Sequence, residues 1–395
     1  MAQPVPPAGP PGLATLGFAV GAVGLATTLP LPLYGAYAAQ GGYGAGALAL
    51  AFASYAATVI LAAPLLGPLP DRIGRRPCVL VALVLAAAST LLLSLAPGIP
   101  ALAVARMAQG IAMGCVTGAA ASWAAELAGG GTAGVERGAR VIARATIGGF
   151  GVGGLLTLLA VILWPAGLPP VTFPAHLAFC ALLLALVRRL PETLARPIGG
   201  AWLRRPAFPP GTWPTTLAIF PAWGSTGTVL TSVQRTLAEA GLPLAGPAAA
   251  CAMMLVGVLA QQAVRGVPPR RAVPLGLGLL ALGLGLTIWG TLAARLWPLL
   301  AGGTLVGIAT YAFIYPGGLA TAAVAASGEE RSRAVAGYFV IAHLGFSVVP
   351  LAVGLAVDAL GAAPALAGLW CMVAGVAALL VPRLLRRGAA ISRSG

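Results

Sequence analysis

The residues best able to do chemistry in this sequence are charged or ionisable side chains set among apolar residues. In the segment Asp71-Arg72-Ile73-Gly74-Arg75-Arg76, a carboxylate precedes three guanidinium groups. Arg106 and His343 are single ionisable residues inside long apolar runs. An intramembrane guanidinium can act as a counter-charge for an anion, and an imidazole can exchange a proton near neutral pH. These residues could therefore form ion pairs and exchange a proton.

Patterns typical of enzymes, nucleotide-binding loops and metal sites are missing from the sequence. It contains no HExxH motif, and no GxxxxGK[ST] loop is possible because the chain has no lysine. The two histidines and five cysteines lack the spacing of a metal-ligand set. We therefore expect no catalytic residue, no metal and no cofactor.

The composition indicates a protein that lives in lipid. Hydrophobic residues make up 59% of the 395 residues, and charged residues only 8%. Soluble domains carry about 25% charged residues, so this chain has too few polar side chains for a water-facing surface. Because backbone groups in hydrocarbon must pair within helices or closed barrels, and the apolar runs have the length of spanning helices, we predict an all-α membrane protein.

Apolar runs long enough to cross a bilayer, which takes about 20 residues, occur twelve times. We therefore predict twelve transmembrane helices, at residues 13–38, 45–66, 77–97, 99–127, 139–164, 171–188, 213–234, 243–264, 272–294, 296–326, 334–357 and 363–382.

The arginines predict the orientation of these spans. The formal net charge is +15, and twenty of the 23 basic residues fall in alternate loops and the C-terminal tail. Arginine-rich loops stay in the cytoplasm beside anionic lipid. We therefore expect both termini inside the cell, in the plasma (bacterial inner) membrane, and we attribute the positive charge to the lipid bilayer rather than to nucleic acid.

A polar interval after the sixth span divides the chain. Residues 191–212 are rich in Pro, Gly and Arg, which predicts a cytoplasmic linker between six-helix halves at residues 1–190 and 213–395. The loop after the eighth span, Arg265 to Arg271, is a reduced echo of the loop after the second. Repeated six-helix halves are a transporter architecture with the substrate site near the midplane.

Two motifs resemble those of a known family. Gly67-Pro68-Leu69-Pro70-Asp71-Arg72-Ile73-Gly74-Arg75-Arg76 is similar to the signature G-x-L-x-D-R-x-G-R-R/K of the major facilitator superfamily, and it lies between the second and third spans. Arg106-Met107-Ala108-Gln109-Gly110 resembles the R-x-x-Q-G stretch of its fourth helix. Within the superfamily, the proline-bearing segment Thr28 to Tyr37 resembles that of bacterial drug and metabolite exporters.

The resemblance implies that the first motif forms a conformational gate. In the superfamily this cluster latches the halves when the cytoplasmic side is closed. The same role would fall here on Gly67, Asp71, Arg72, Gly74, Arg75 and Arg76, with Glu126 as the partner of Arg75 and with Asp71 near the positive start of the eleventh helix. The alternative is a hydrated loop that only fixes topology, because isolated surface ion pairs contribute little.

Arg106 and His343 are the candidates for coupling. The resemblance favours a cavity role for Arg106, in proton coupling or substrate binding, over snorkelling to the membrane surface. His343 lies near the middle of the eleventh span, where it would carry a proton or serve as a neutral imidazole bonded to another helix. His176 lies nearer a span end, and we expect it at the membrane interface.

Further polar and aromatic residues are candidates for the wall of a substrate cavity. In the superfamily, helices 1, 4, 7 and 10 line the cavity, and on them fall Tyr34, Gln109, Trp123, Gln234, Tyr311 and Tyr315. Such residues suit an amphiphilic small molecule. The alternative is that several of them only pack helices or lie at the interface.

The leading hypothesis is proton-coupled efflux of a small organic molecule by a monomer working through alternating access. Exporters of this group often carry G-x-x-x-G-P-x-x-G-G in the fifth helix. Residues 145–154 keep three of those glycines but have Phe150 in place of the proline, so the stretch could equally serve helix packing. The alternatives are an importer or facilitator of a metabolite and, from another class, a multi-spanning membrane enzyme or sensor.

Overall fold

The computed structural model describes residues 9–165, 169–194 and 205–393, and within these ranges the regular elements are all helical. Residues 195–204 of the predicted linker lie outside the described part. An all-helical chain is what a hydrocarbon solvent requires, because each backbone N–H then finds a carbonyl within its own segment.

Sixteen α-helices are described. The helices up to the polar interval are α1 (Gly9–Thr28), α2 (Tyr34–Gln40), α3 (Ala45–Leu66), α4 (Pro70–Ile73), α5 (Arg75–Leu95), α6 (Ile99–Leu127), α7 (Gly131–Leu163) and α8 (Thr172–Arg188). Those after it are α9 (Trp213–Thr228), α10 (Gln234–Glu239), α11 (Ala245–Ala263), α12 (Pro269–Leu292), α13 (Leu296–Gly307), α14 (Tyr315–Val324), α15 (Gly328–Leu360) and α16 (Ala362–Arg393).

Ten helical segments in the described ranges are long and apolar enough to cross a membrane. The predicted sixth span corresponds to α8, which has 17 residues and is shorter than the others. The predicted seventh span corresponds to the continuous run formed by α9, a π-helical turn at Val229–Val233 and α10. The structure therefore supports a multi-spanning helical protein, whereas the count of twelve and the orientation stay predictions.

The chain forms two compact units. The first contains the described residues 9–31, 57–165 and 169–194, and the second contains residues 32–56 and 205–393. Residues 32–56 thus pack with the second unit, whereas the division into six-helix halves at residues 1–190 and 213–395 stays a prediction. Helix α3 therefore begins in the second unit and ends in the first.

Small residues bring α1 and α7 together in the first unit. A Cβ added to Gly149 would collide with the backbone of Gly21, and one added to Gly24 would lie 3.4 Å from Gly149 Cα. Such close approach of two helix backbones is the usual role of glycine at helix interfaces in membranes. The glycines of the fifth span thus have a packing role.

The second unit contains two π-helical turns, Val229–Val233 and Ile308–Ile314. A π-turn displaces carbonyls from the regular hydrogen-bond ladder. Two carbonyls of the second turn, those of Tyr311 and Ile314, are bound by side chains from other helices. Gln261 Nε2 donates to Tyr311 O at 2.9 Å. The Tyr338 hydroxyl lies 3.2 Å from Ile314 O and 3.1 Å from the carbonyl that follows the turn, Tyr315 O.

Replacing Gly149 by alanine should destabilise the protein, because the added methyl group would push α7 away from α1. Overpacking of this kind costs about 1–3 kcal/mol. Gly151→Ala is the matched control, since no described heavy atom lies within 4 Å of its added Cβ. Thermal unfolding in detergent should show a lowered midpoint for G149A only. Equal midpoints for the two variants would contradict this packing.

Candidate functional site

The loop between α3 and α5 is shaped by its glycines. The carbonyl of Gly67 faces α6, where a Cβ added to Gly118 would lie 3.6 Å away. Gly74 separates α4 from α5 with φ +103°, a conformation that side chains disfavour. A Cβ at Gly74 would also strike the carboxylate of Glu192. These two positions let Asp71 and the arginines come close to α6 and to the segment after α8.

Arg75 is the centre of this cluster. Its side chain is only 7% exposed, and Nη2 lies 3.2 Å from both Asp71 Oδ1 and Glu126 Oε1. Nη1 donates to Pro70 O at 2.9 Å. A buried guanidinium needs nearby carboxylates and acceptors to offset the loss of its hydration. The structure thus contains the predicted pair of Arg75 with Glu126 and adds Asp71 as a second carboxylate.

Glu192 is a member of this cluster that the sequence analysis missed. Its carboxylate accepts hydrogen bonds from the backbone N–H groups of Arg75 and Arg76, at 3.1 and 3.0 Å. It also accepts from the N–H groups of Thr193 and Leu194. A carboxylate at the first turn of a helix satisfies free donors and meets the positive end of the helix dipole. Glu192 therefore caps α5 from the segment that follows α8.

Three side chains strengthen the link between this cluster and the segment after α8. Arg76 Nη1 donates to the carbonyls of Arg188 and Leu190, and the Thr193 hydroxyl donates to Glu126. Trp123 is fully buried, and its indole N–H donates to Pro191 O at 3.1 Å. Trp123 was expected in a cavity wall and instead has this partner. Arg72 is half-buried on α4.

Arg106 and Gln109 form a second polar site in the first unit, at the end of α1. Pro30 has no N–H, so the carbonyl of Ala26 cannot form its regular helical bond. Gln109 Nε2 donates to Ala26 O at 2.8 Å, and Arg106 Nη1 donates to Thr27 O at 2.9 Å and to Gln109 Oε1 at 3.2 Å. Arg106 is 3% exposed, so it lies in the interior and does not snorkel. Its charge faces the negative end of α1.

His176 is enclosed between helices of the same unit, and its depth in the membrane stays a prediction. It is 4% exposed, with Nδ1 3.0 Å from Thr90 Oγ1 and Nε2 2.9 Å from Ala22 O. Because a carbonyl only accepts hydrogen bonds, Nε2 carries the proton and Nδ1 accepts from Thr90. Both ring nitrogens are used in joining three helices.

In the second unit, His343 lies among aromatic rings. We call this set of side chains the aromatic cluster, and its ring centroids are 5.1–6.4 Å from a neighbour. The members are Tyr55, Trp223, Tyr315, Phe339, His343 and Phe346. Four of them, the tryptophan, Tyr315 and the two phenylalanines, are half-buried rather than fully enclosed. These four residues therefore keep part of their surface accessible.

The hydrogen bonds within the aromatic cluster leave two polar groups for a ligand. His343 Nδ1 donates to Phe339 O at 2.8 Å, so Nε2 is the unprotonated nitrogen of the neutral ring. Trp223 Nε1 is buried and has no hydrogen-bond partner among the described residues. A donor and an acceptor beside stacked rings suit a planar molecule with polar substituents.

The other predicted wall residues of the second unit lie on neighbouring helices. Tyr34 is fully buried, with its ring edge-on to Phe52 at 6.4 Å. Gln234 is 1% exposed, and neither amide atom has a hydrogen-bond partner within the described part of the chain. Tyr311 lies in the second π-turn, against Gly257.

The structure thus brings only some of the predicted residues together. The motif residues share a cluster with Glu126, Arg106 binds Gln109, and Tyr315 joins His343. Four members of the aromatic cluster were not predicted from the sequence: Tyr55, Trp223, Phe339 and Phe346. A signal for the phenylalanines was present, because residues four before and three after His343 share its helix face. No group of three potential metal ligands occurs among the described residues.

Comparison with known proteins identified one family and several similar folds. The family model described as Major Facilitator Superfamily matches residues 16–267. A mutant of the nucleoside transporter NupG superposes with a TM-score of 0.71 at 13% identity, covering 95% of this chain and 98% of that one. A mutant of the peptide transporter POT gives 0.77 at 14% identity, with 95% of each chain covered.

A third similar structure is a POT family transporter in complex with 5-aminolevulinic acid. Its TM-score is 0.73 at 11% identity, covering 96% of this chain and 97% of that chain. At these identities the likeness extends to the fold alone. No curated protein sequence matches the chain.

Replacing Glu192 by alanine should lower the free energy of unfolding by about 1–2 kcal/mol, the usual value of a helix cap. Glu136→Ala is the control, because Glu136 makes only an exposed pair with Arg140 on its own helix and should change stability by less than about 0.5 kcal/mol. Thermal unfolding of the purified variants compares the two. A midpoint for E192A no lower than that for E136A would refute the cap.

Proposed function

The chain belongs to the Major Facilitator Superfamily, and we propose that it is a secondary active transporter that exports a small organic molecule in exchange for protons. The observation that carries this proposal is the aromatic cluster around His343, a proton-binding side chain beside partly accessible aromatic residues. His343 is ten residues beyond Arg333, the start of its span, or about 15 Å along the helix. That depth suits a midplane site.

The coupling step in this proposal is proton exchange at His343 Nε2. In the neutral ring Nδ1–H is held by Phe339 O, so a proton can add only at Nε2. The resulting cation lies 5.1 Å from the centroid of Trp223, within the distance of about 6 Å at which cation–π attraction operates. A planar substrate stacked on Trp223 would compete for the same ring. Mutual exclusion of proton and substrate is what an antiporter needs.

The proposed substrate class is a planar aromatic or heteroaromatic molecule with polar substituents. Stacking on Trp223 and Tyr315 supplies affinity, and the free indole N–H supplies one oriented hydrogen bond. The nucleoside named for NupG has a ring of this kind. The alternative function is an importer or facilitator of such a metabolite. A membrane enzyme or sensor has no supporting observation.

The proposed gate is the cluster of Asp71, Arg75, Glu126 and Glu192, which we call the Arg75 cluster. Alternating access requires contacts at the arginine-rich face that can form and break. Arg75, Asp71 and Glu126 supply exchangeable ion pairs, and Glu192 ties this cluster to the segment after α8. In our proposal Asp71 alternates between Arg75 and the start of the predicted eleventh span, which belongs to α15.

The same proposal includes the location of the protein. It places this face in the cytoplasm and the protein in the plasma membrane, with residues 191–212 as the linker and a monomer as the working unit.

Direction and coupling are tested together in everted membrane vesicles, with a nucleoside, ethidium and an aliphatic amino acid as radiolabelled or fluorescent probes. An acidic lumen should drive accumulation of at least one planar probe. H343Q should reduce this gradient-driven accumulation about tenfold or more, because the coupling proton has no site. Ser347→Ala, one turn away on the same helix, should retain it. Gradient-driven transport that survives H343Q would exclude His343 as the proton carrier.

The ring contact is tested by binding. Trp223→Leu should weaken binding of a transported planar probe about tenfold, because one stacking face and one hydrogen bond are lost. Trp289→Leu is the matched control, since Trp289 is 52% exposed on the outer surface of its unit. Microscale thermophoresis with purified protein gives both affinities. A similar loss in the two variants would place the ligand elsewhere.

A further inference from the structure

Helix α3 begins without a capping residue of its own. The residues before it are Gly41-Gly42-Tyr43-Gly44, and none is Ser, Thr, Asp or Asn. The first N–H groups of a helix have no partner within the helix. A start such as this one needs acceptors from another part of the chain.

Asp358 supplies these acceptors from a position 313 residues away along the chain. Its Oδ1 accepts from the N–H of Ala45 and its Oδ2 from the N–H of Gly46, both at 2.8 Å. Asp358 is two residues before the end of α15, where a negative charge is unfavourable because it meets the negative end of the helix dipole. The positive start of α3 offsets that cost.

Glycines allow the two helices to approach. A Cβ added to Gly44 would lie 2.5 Å from Asp358 Oδ1, and one added to Gly46 would lie 2.8 Å from Oδ2. On the facing helix, a Cβ at Gly354 would lie 2.7 Å from Ala45 O. Three glycines are thus needed for one carboxylate to reach two backbone donors.

This contact lies at the ends of both helices that are remote from the arginine clusters. Helix α3 leads at its other end into the loop of Asp71 and Arg75, and α15 carries Arg331 and Arg333 near its start. The contact is also accessible, because Asp358 is exposed. Water can therefore replace the carboxylate, which a permanent buried contact would not permit.

We propose that Asp358 is a releasable latch that fastens the start of α3 to α15 and must let go when this membrane face opens. The inference rests on the proposed function, because only alternating access requires the segment 45–56 to leave its partners. Residues 45–56 pack in the second unit and the rest of α3 in the first. Release would free a helix that is continuous with the first unit. The carboxylate then sets how often this face is open.

Hydrogen–deuterium exchange of the full-length protein in nanodiscs tests the latch. Asp358→Asn should speed exchange at residues 45–48 about tenfold, because a neutral amide offers one acceptor in place of two. If the latch controls the state, exchange at residues 74–76 and 188–194 should slow about threefold, because opening one face closes the other. Glu239→Gln, which removes a carboxylate paired within its own helix, should change neither region.

Two patterns of exchange in D358N would show that Asp358 is only a local cap and would overturn the latch. In the first, exchange becomes faster at the start of α3 alone. In the second, it becomes faster both there and at residues 74–76. Unchanged exchange at the start of α3 would overturn it as well. If D358N does not fold, Gly46→Ala displaces the carboxylate from the opposite side of the contact. The readout needs no substrate, so a failure of the transport proposal would show in the vesicle assay and not here.

Discussion

In hydrocarbon, every backbone N–H and C=O that a helix leaves open must find another partner, and this requirement governs the polar side chains described above. Pro30 leaves open the carbonyl of Ala26, which Gln109 binds. The second π-turn leaves open the carbonyls of Tyr311 and Ile314, which Gln261 and Tyr338 bind. Glu192 and Asp358 bind the free donors of two helix starts. At each of these points a polar side chain from a distant segment supplies the missing partner.

The same requirement explains why charges cluster as they do. Eight acidic residues serve 23 basic ones, so a carboxylate in the described part of the chain often has more than one partner. Glu126 binds both Arg75 and Thr193, and Glu192 binds four backbone donors. Such shared groups can exchange one partner for another at little cost, because the alternative partner is already within reach. A transporter gate needs contacts of this kind.

Local patterns in the sequence predicted much of the fold and part of the site. Apolar runs located the helices, and the motif located Arg75 and its partner Glu126. The Glu192 cap could not be predicted, because it joins residues 117 apart along the chain. The spacing of apolar residues along a helix gives no information about a contact between such distant residues. The aromatic cluster was missed for a similar reason, since its rings come from four separate helices. The burial of His176 was not predicted, because depth along a span does not tell which way a side chain faces.

The two π-turns have a mechanical consequence. Each holds one more residue than an α-helical turn would, so it stores length within a continuous helix. Tightening such a turn would rotate everything beyond it by about 100°, the angle per residue in an α-helix. In the run that ends with α10, Gln234 follows the turn at Val229–Val233 directly. The amide of Gln234 is buried and has no partner in the described structure. The rotation would turn this amide toward a different neighbouring helix. The helix can thus turn a different set of side chains toward its neighbours, while its backbone groups exchange i→i+5 hydrogen bonds for i→i+4 ones and stay paired.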